Sequence, residues 1–85
     1  MKKFKADVTV LPKDGVLDTQ GKAVEKTLVG AGYDAVSDVR VGKFVRFAVE
    51  AADETAAADL VKAISEDLLV NDLIESYTYR VEELP

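Results

Sequence analysis

Apolar and polar positions alternate along residues 4–11, with Phe4, Ala6, Val8 and Val10 on one side and Lys5, Asp7 and Thr9 on the other. A period of two is that of a strand with one buried face. Pro12-Lys13-Asp14-Gly15 ends it with turn-forming residues. The period then lengthens. Ala23, Val24, Thr27, Leu28 and Ala31 recur at helical spacing and make one apolar stripe. Asp18 or Thr19 is placed to cap the start of this helix. Gly32 suits the position just past its end, where glycine enters the left-handed region without penalty. Alternation returns over 36–41, and again over 44–51, where Val45, Phe47 and Val49 oppose Phe44, Arg46, Ala48 and Glu50. Asp53-Glu54 opens a second helix with acidic residues in its first turn. Its stripe is Ala57, Leu60, Val61, Ile64 and Leu68, and Asn71-Asp72 breaks it. A last strand over 74–82 sets Tyr77, Tyr79 and Val81 on a common side.

The order β-α-β-β-α-β predicts an α+β domain of the ferredoxin-like kind: a four-stranded antiparallel sheet with two helices on one face. Residues 1–85 are read as a single domain. The second sheet face would carry Lys5, Asp7, Thr9, Phe44, Arg46, Ala48 and Thr78. Antiparallel sheets tolerate a wet face. A chain this short also gains much by association, so an oligomer is expected.

Composition narrows the chemistry. The chain has no Cys and no His. Zinc fingers, thiol nucleophiles and Ser-His-Asp triads are therefore excluded, and no metal site is expected from the spacing of the carboxylates. The lack of Cys fits a reducing compartment. No apolar run is long enough to span a membrane, so the expected location is the cytoplasm. The net charge is −5 and uneven: residues 1–43 carry eight Lys/Arg and six Asp/Glu, residues 44–85 three and ten. An acidic chain repels a phosphate backbone, which makes nucleic acid a poor partner.

Three chemistries known on this kind of frame can be weighed against residues. RNA binding through Val41-Gly42-Lys43-Phe44-Val45-Arg46-Phe47 would need its aromatics on one exposed face, but Phe44 and Phe47 fall on opposite faces. Acyl-phosphate hydrolysis would need Arg and Asn in or near the loop after the first strand, and 11–21 holds neither. A free-standing ligand-sensing regulatory domain of the amino-acid-binding type remains as an alternative, with Gly15 in the expected loop. No residue set meets the requirements of a catalytic site.

Three segments carry a resemblance. They are Gly15-Val16-Leu17-Asp18-Thr19-Gln20-Gly21-Lys22-Ala23-Val24-Glu25, Gly32-Tyr33-Asp34, and Val36-Ser37-Asp38-Val39-Arg40-Val41-Gly42-Lys43. Together with the ending Leu68-Leu69-Val70-Asn71-Asp72-Leu73-Ile74-Glu75-Ser76-Tyr77, they resemble the PurS family of phosphoribosylformylglycinamidine (FGAM) synthase subunits over essentially the whole chain. Thr19 and Asp72 stand where the family typically has Pro. The resemblance implies an accessory subunit of an ATP-dependent carbon-nitrogen ligase of de novo purine biosynthesis. That enzyme makes FGAM from formylglycinamide ribonucleotide, ATP and glutamine. The subunit would bridge the glutaminase PurQ and the synthetase PurL and assist ammonia transfer. It would associate with itself as a dimer or tetramer and bind no cofactor, ATP and Mg being used by the complex. On that view Leu17, Asp18, Gln20, Gly21, Arg40, Gly42 and Lys43 are the candidate partner contacts. Arg40 leads them, because Arg is enriched at interface hot spots. For the glycines, turn and packing geometry is the competing reading, and for Asp18 a simple helix cap.

Overall fold

A computed structural model describes residues 1–85. The elements are β1 (Lys2–Pro12), α1 (Thr19–Gly30), β2 (Lys43–Ala51), α2 (Glu54–Ile64) and β3 (Glu75–Glu83), with one π-helical turn, Ser65–Leu69, continuing α2. The sheet is antiparallel, in the order β2-β1-β3. Phe4 faces Val49 on one side and Glu83 on the other; Val8 faces Val45 and Tyr79. The alternation of β1 is realised as expected. Phe4, Ala6, Val8 and Val10 are all fully buried, and α2 seals them with Ala57 and Val61. Val49 and Ala51 of β2 complete the core, and Val45, Phe47, Ile64, Leu69, Val70, Tyr77 and Val81 pack around it.

The sheet has three strands, which corrects the expectation of a four-stranded ferredoxin-like sheet. Residues 36–41 form no strand. Two backbone donors that a ladder would need are engaged elsewhere. Val39 N–H donates to Glu25 Oε1 at 3.0 Å, and Val41 N–H donates to Asp18 Oδ2 at 2.9 Å. Asp38, at φ 55°, also turns the chain out of the extended region.

The expectation of two helices on one sheet face is corrected as well. Only α2 packs on the sheet. No apolar residue of α1 belongs to the core, and Ala23, Val24 and Thr27 are exposed. The stripe read from the helical period is real, but this chain does not cover it. The molecule is accordingly long and flat, 52 × 29 × 14 Å, with a radius of gyration of 16.5 Å. A globular domain of this length would have a radius of about 12 Å.

A third difference lies at the end of α2. Its stripe was expected to run to Leu68, which is instead 81% exposed. The π-turn is the reason. Val70 N–H donates to the Ser65 carbonyl at 2.9 Å, five residues back. The wider turn moves Leu69 to the core side and Leu68 to water. Ser65 is fully buried there, its hydroxyl donating to the Val61 carbonyl at 2.8 Å.

Candidate functional site

The joint between β1 and α1 meets segment 38–42, and Asp18 holds the two together. Its backbone is extended, as a helix cap requires, and its Oδ1 accepts from Gly21 N–H at 2.9 Å. Its second oxygen accepts from Val41 N–H across the joint. These two donors, the Gly21 bond first, hold the Asp18 carboxyl below its ordinary value. Two turns along α1, Glu25 repeats the motif with Val39. Side chains on one side of α1 therefore fix the returning strand-like segment by its backbone.

Two glycines let the pieces come this close. A Cβ on Gly21 would overlap the Val39 carbonyl oxygen and the Asp18 carboxylate. A Cβ on Gly42 would overlap the Val10 carbonyl oxygen, where the chain enters β2 against β1. Neither position has room for a side chain.

Arg40 bridges the same region. Its Nη2 contacts Asp38 Oδ2 at 3.1 Å and also the Asp14 carboxylate in the loop after β1. Both pairings, Asp38 first, raise its already high pKa. The guanidinium is thus engaged within the chain. A cleft of about 350 Å³ lies between the joint and the segment, lined among others by Lys13, Lys22, Glu25 and Arg40. Its charges are mixed, and no nucleophile stands beside a base in it. No three acidic side chains in the structure converge to hold a metal ion.

Of the seven candidates read from the sequence, the structure gathers Asp18, Gly21, Arg40 and Gly42 into or around this latch. Leu17, Gln20 and Lys43 point into water nearby. Glu25, Asp14 and Asp38 complete the latch and are not among the seven candidates; Asp14 and Asp38 read from the sequence as structural turn residues. Their signal was weak, since carboxylates at turns and on helices are common for local reasons. The apolar surface of Ala23, Val24, Thr27 and Leu28 was assigned to the core, yet it forms a shallow open groove.

The chain's relatives agree with one another. The family model described as PurS, phosphoribosylformylglycinamidine (FGAM) synthase, matches residues 5–83. The chain is 43% identical over 81 residues to phosphoribosylformylglycinamidine synthase subunit PurS of Bacillus subtilis strain 168, covering 95% of each. It is similar to the crystal structure of B. subtilis PurS, with a TM-score of 0.81 at 44% identity over 94% of this chain and 99% of the other. It is also similar to a chain in the structure of PurLQS from Thermotoga maritima, with a TM-score of 0.86 at 34% identity over 99% and 100%.

Proposed function

The chain belongs to the PurS family of phosphoribosylformylglycinamidine synthase subunits, and we propose that it works in that complex by assembly, with no catalytic site of its own. It docks between the glutaminase PurQ and the synthetase PurL, associates with itself, and helps ammonia pass from one to the other. The complex converts formylglycinamide ribonucleotide, ATP and glutamine to FGAM in purine biosynthesis. ATP and Mg are handled by the other subunits, and the complex works in the cytoplasm. The relative found in a PurLQS assembly supports the partners.

Helix α1 is the observation that carries this reading. It has 12 residues, it is held off the core, and its apolar stripe lies in water. Helices of that length are marginal without tertiary packing, and glycine at 21 and 30 weakens this one further. An apolar helical face is stabilised when another surface covers it. Ammonia transfer needs the same thing, a water-excluding junction between subunits.

Reconstitution with PurL and PurQ tests the proposal, with product followed from glutamine and separately from ammonium salt. Omitting this chain is expected to abolish the glutamine-driven rate and spare the ammonia-driven one. Rates that ignore the chain in both assays would overturn the proposal.

A further inference from the structure

Among the aspartates of the chain, only Asp14 is followed by glycine. The others precede alanine, glutamate, leucine or a β-branched residue. The nitrogen of the next residue is the nearest backbone nucleophile to an aspartate carboxyl. A side chain on that residue hinders the approach, and glycine alone leaves the backbone free to make it.

The structure sets this pair in an open turn. Asp14 and Gly15 are the two central residues of the turn that ends β1, closed by Val16 N–H donating to the Lys13 carbonyl at 3.2 Å. Gly15 has φ 81°, the positive value that glycine supplies at the third position of such a turn. Its N–H takes part in no hydrogen bond. No atom lies within 4 Å of the place its Cβ would take. The Asp14 side chain is 85% exposed, so water reaches it freely. One contact restrains the carboxyl: Arg40 Nη2, from segment 38–42, pairs with Asp14 Oδ1.

We propose that Asp14-Gly15 is a site of spontaneous backbone isomerisation to isoaspartate, and that Arg40 restrains it. In the first step the Gly15 nitrogen attacks Asp14 Cγ. A C–N bond forms, the bond from Cγ to its hydroxyl breaks, and the hydroxyl leaves with the amide proton as water. The product is a cyclic imide. In the second step water adds to one of the two imide carbonyls. Opening at Cγ restores aspartate. Opening at the former backbone carbonyl leaves the chain running through Cγ, with a free α-carboxylate. One water leaves and one returns, and nothing is oxidised or reduced. The carboxyl reacts in its acid form, because hydroxyl is the leaving group, and it reaches that form only once Arg40 has let go. The charge-assisted pair therefore withholds the reactive state. Isoaspartate adds one atom to the main-chain path between Lys13 and Val16. The hydrogen bond that closes the turn no longer fits, and the joint is loosened just before the Asp18 cap.

Ageing the full chain for weeks in neutral buffer tests this. Peptide mapping locates isoaspartate, and enzymatic methylation of the new α-carboxylate from S-adenosylmethionine counts it. Isoaspartate is expected in the peptide that carries Asp14-Gly15 and at no other aspartate. Arg40→Ala should raise the rate about two- to fivefold, the range over which an exposed ion pair shifts an equilibrium. Arg40→Lys keeps a cation beside Asp14 and should stay near the wild-type rate. Asp14→Glu keeps the charge but cannot close the five-membered ring, and it should abolish the signal. In the separated isoaspartyl form, Val16 N–H should exchange faster than in the fresh chain. No isoaspartate at Asp14 in wild type or in Arg40→Ala, or a signal that survives Asp14→Glu, overturns the site. Equal rates in wild type and Arg40→Ala, or a rate in Arg40→Lys as high as in Arg40→Ala, overturn the restraint by Arg40.

Discussion

Gly21→Ala and Gly30→Ala are the same substitution in the same helix, and the structure predicts opposite signs for them. Helix propensity alone favours alanine at both by about 1 kcal/mol. At Gly30 nothing lies near the position a Cβ would take, so that gain should be realised. At Gly21 the Cβ would overlap the Val39 carbonyl oxygen, which is backbone, and the Asp18 carboxylate, which is held by two N–H donors. Neither can move without releasing the latch between α1 and segment 38–42. Inserting a methyl into a closed contact of this kind costs about 1–3 kcal/mol. Against the propensity gain, the net reaches about 2 kcal/mol of local destabilisation, with a midpoint of about 1 kcal/mol.

The loss should fall on α1 and not on the core, because α1 does not pack on the sheet. Global melting is therefore a blunt readout, and amide hydrogen exchange resolved by residue is the better assay. Each 1.4 kcal/mol is tenfold in protection. Protection in α1 should drop about fivefold in Gly21→Ala and rise about fivefold in Gly30→Ala. The amides of β1 should be unchanged in both. If the two variants shift α1 protection in the same direction, the close approach at Gly21 is not what holds the helix, and the latch argument fails.

Two predictions concern titration. Asp18 and Asp7 both have carboxyls held below the ordinary 3.8, Asp18 by the Gly21 and Val41 N–H groups and Asp7 by Arg46. A depressed native value means that their contribution is present above about pH 4 and is lost as pH falls through the native value; melting curves between pH 2 and 7 should show an acid limb that Asp18→Asn makes shallower, and an unaltered limb would count against the latch. Tyr77 is pushed up to about 12, first by burial and then by its bond to Glu66. Its contribution is full below pH 10 and is lost as pH rises through 12, so an ultraviolet titration should show a late tyrosine step that Tyr77→Phe removes; a titration curve that Tyr77→Phe leaves without loss of a late step would contradict the half-buried, Glu66-bonded hydroxyl.

What could be read in advance, and what could not, follows from the range of the interactions. β1 was legible because its alternation is strict and its whole inner row is buried. Both helix starts were legible because Asp18 and Asp53 cap their helices through N–H groups three residues on. Phe44 and Phe47 do fall on opposite faces, Phe44 under the Arg46 guanidinium at 5.3 Å and Phe47 against the core. Segment 36–41 was not legible. Its valines favour a strand, and the carboxylates that take its N–H groups lie 14 and 23 residues away. Leu68 was misplaced because a single π-turn changes the helical phase without a marker in residue type. The site was half legible. Asp18, Gly21, Arg40 and Gly42 were chosen as contacts for partners, and the structure gives each of them a task within the chain.

The two largest departures from the expected fold have one cause. A fourth strand over 36–41 would have required free N–H groups on Val39 and Val41, and α1 supplies the carboxylates that bind them. Once α1 is tied to that segment by its Asp18, Gly21 and Glu25 side, it stays with the joint and does not reach the sheet beside α2. Its apolar stripe, set on the adjacent side of the same helix, is then carried out of the monomer's core. The chain thereby forgoes burying Val24 and Leu28 within itself, a sacrifice of about 1.5–3 kcal/mol for each side chain at full burial. A monomer would gain by burying that stripe, whereas an assembly subunit needs it free. The latch residues therefore bear on association indirectly. Changing Asp18 or Glu25 should weaken assembly by letting α1 move, even though neither carboxylate need touch a partner.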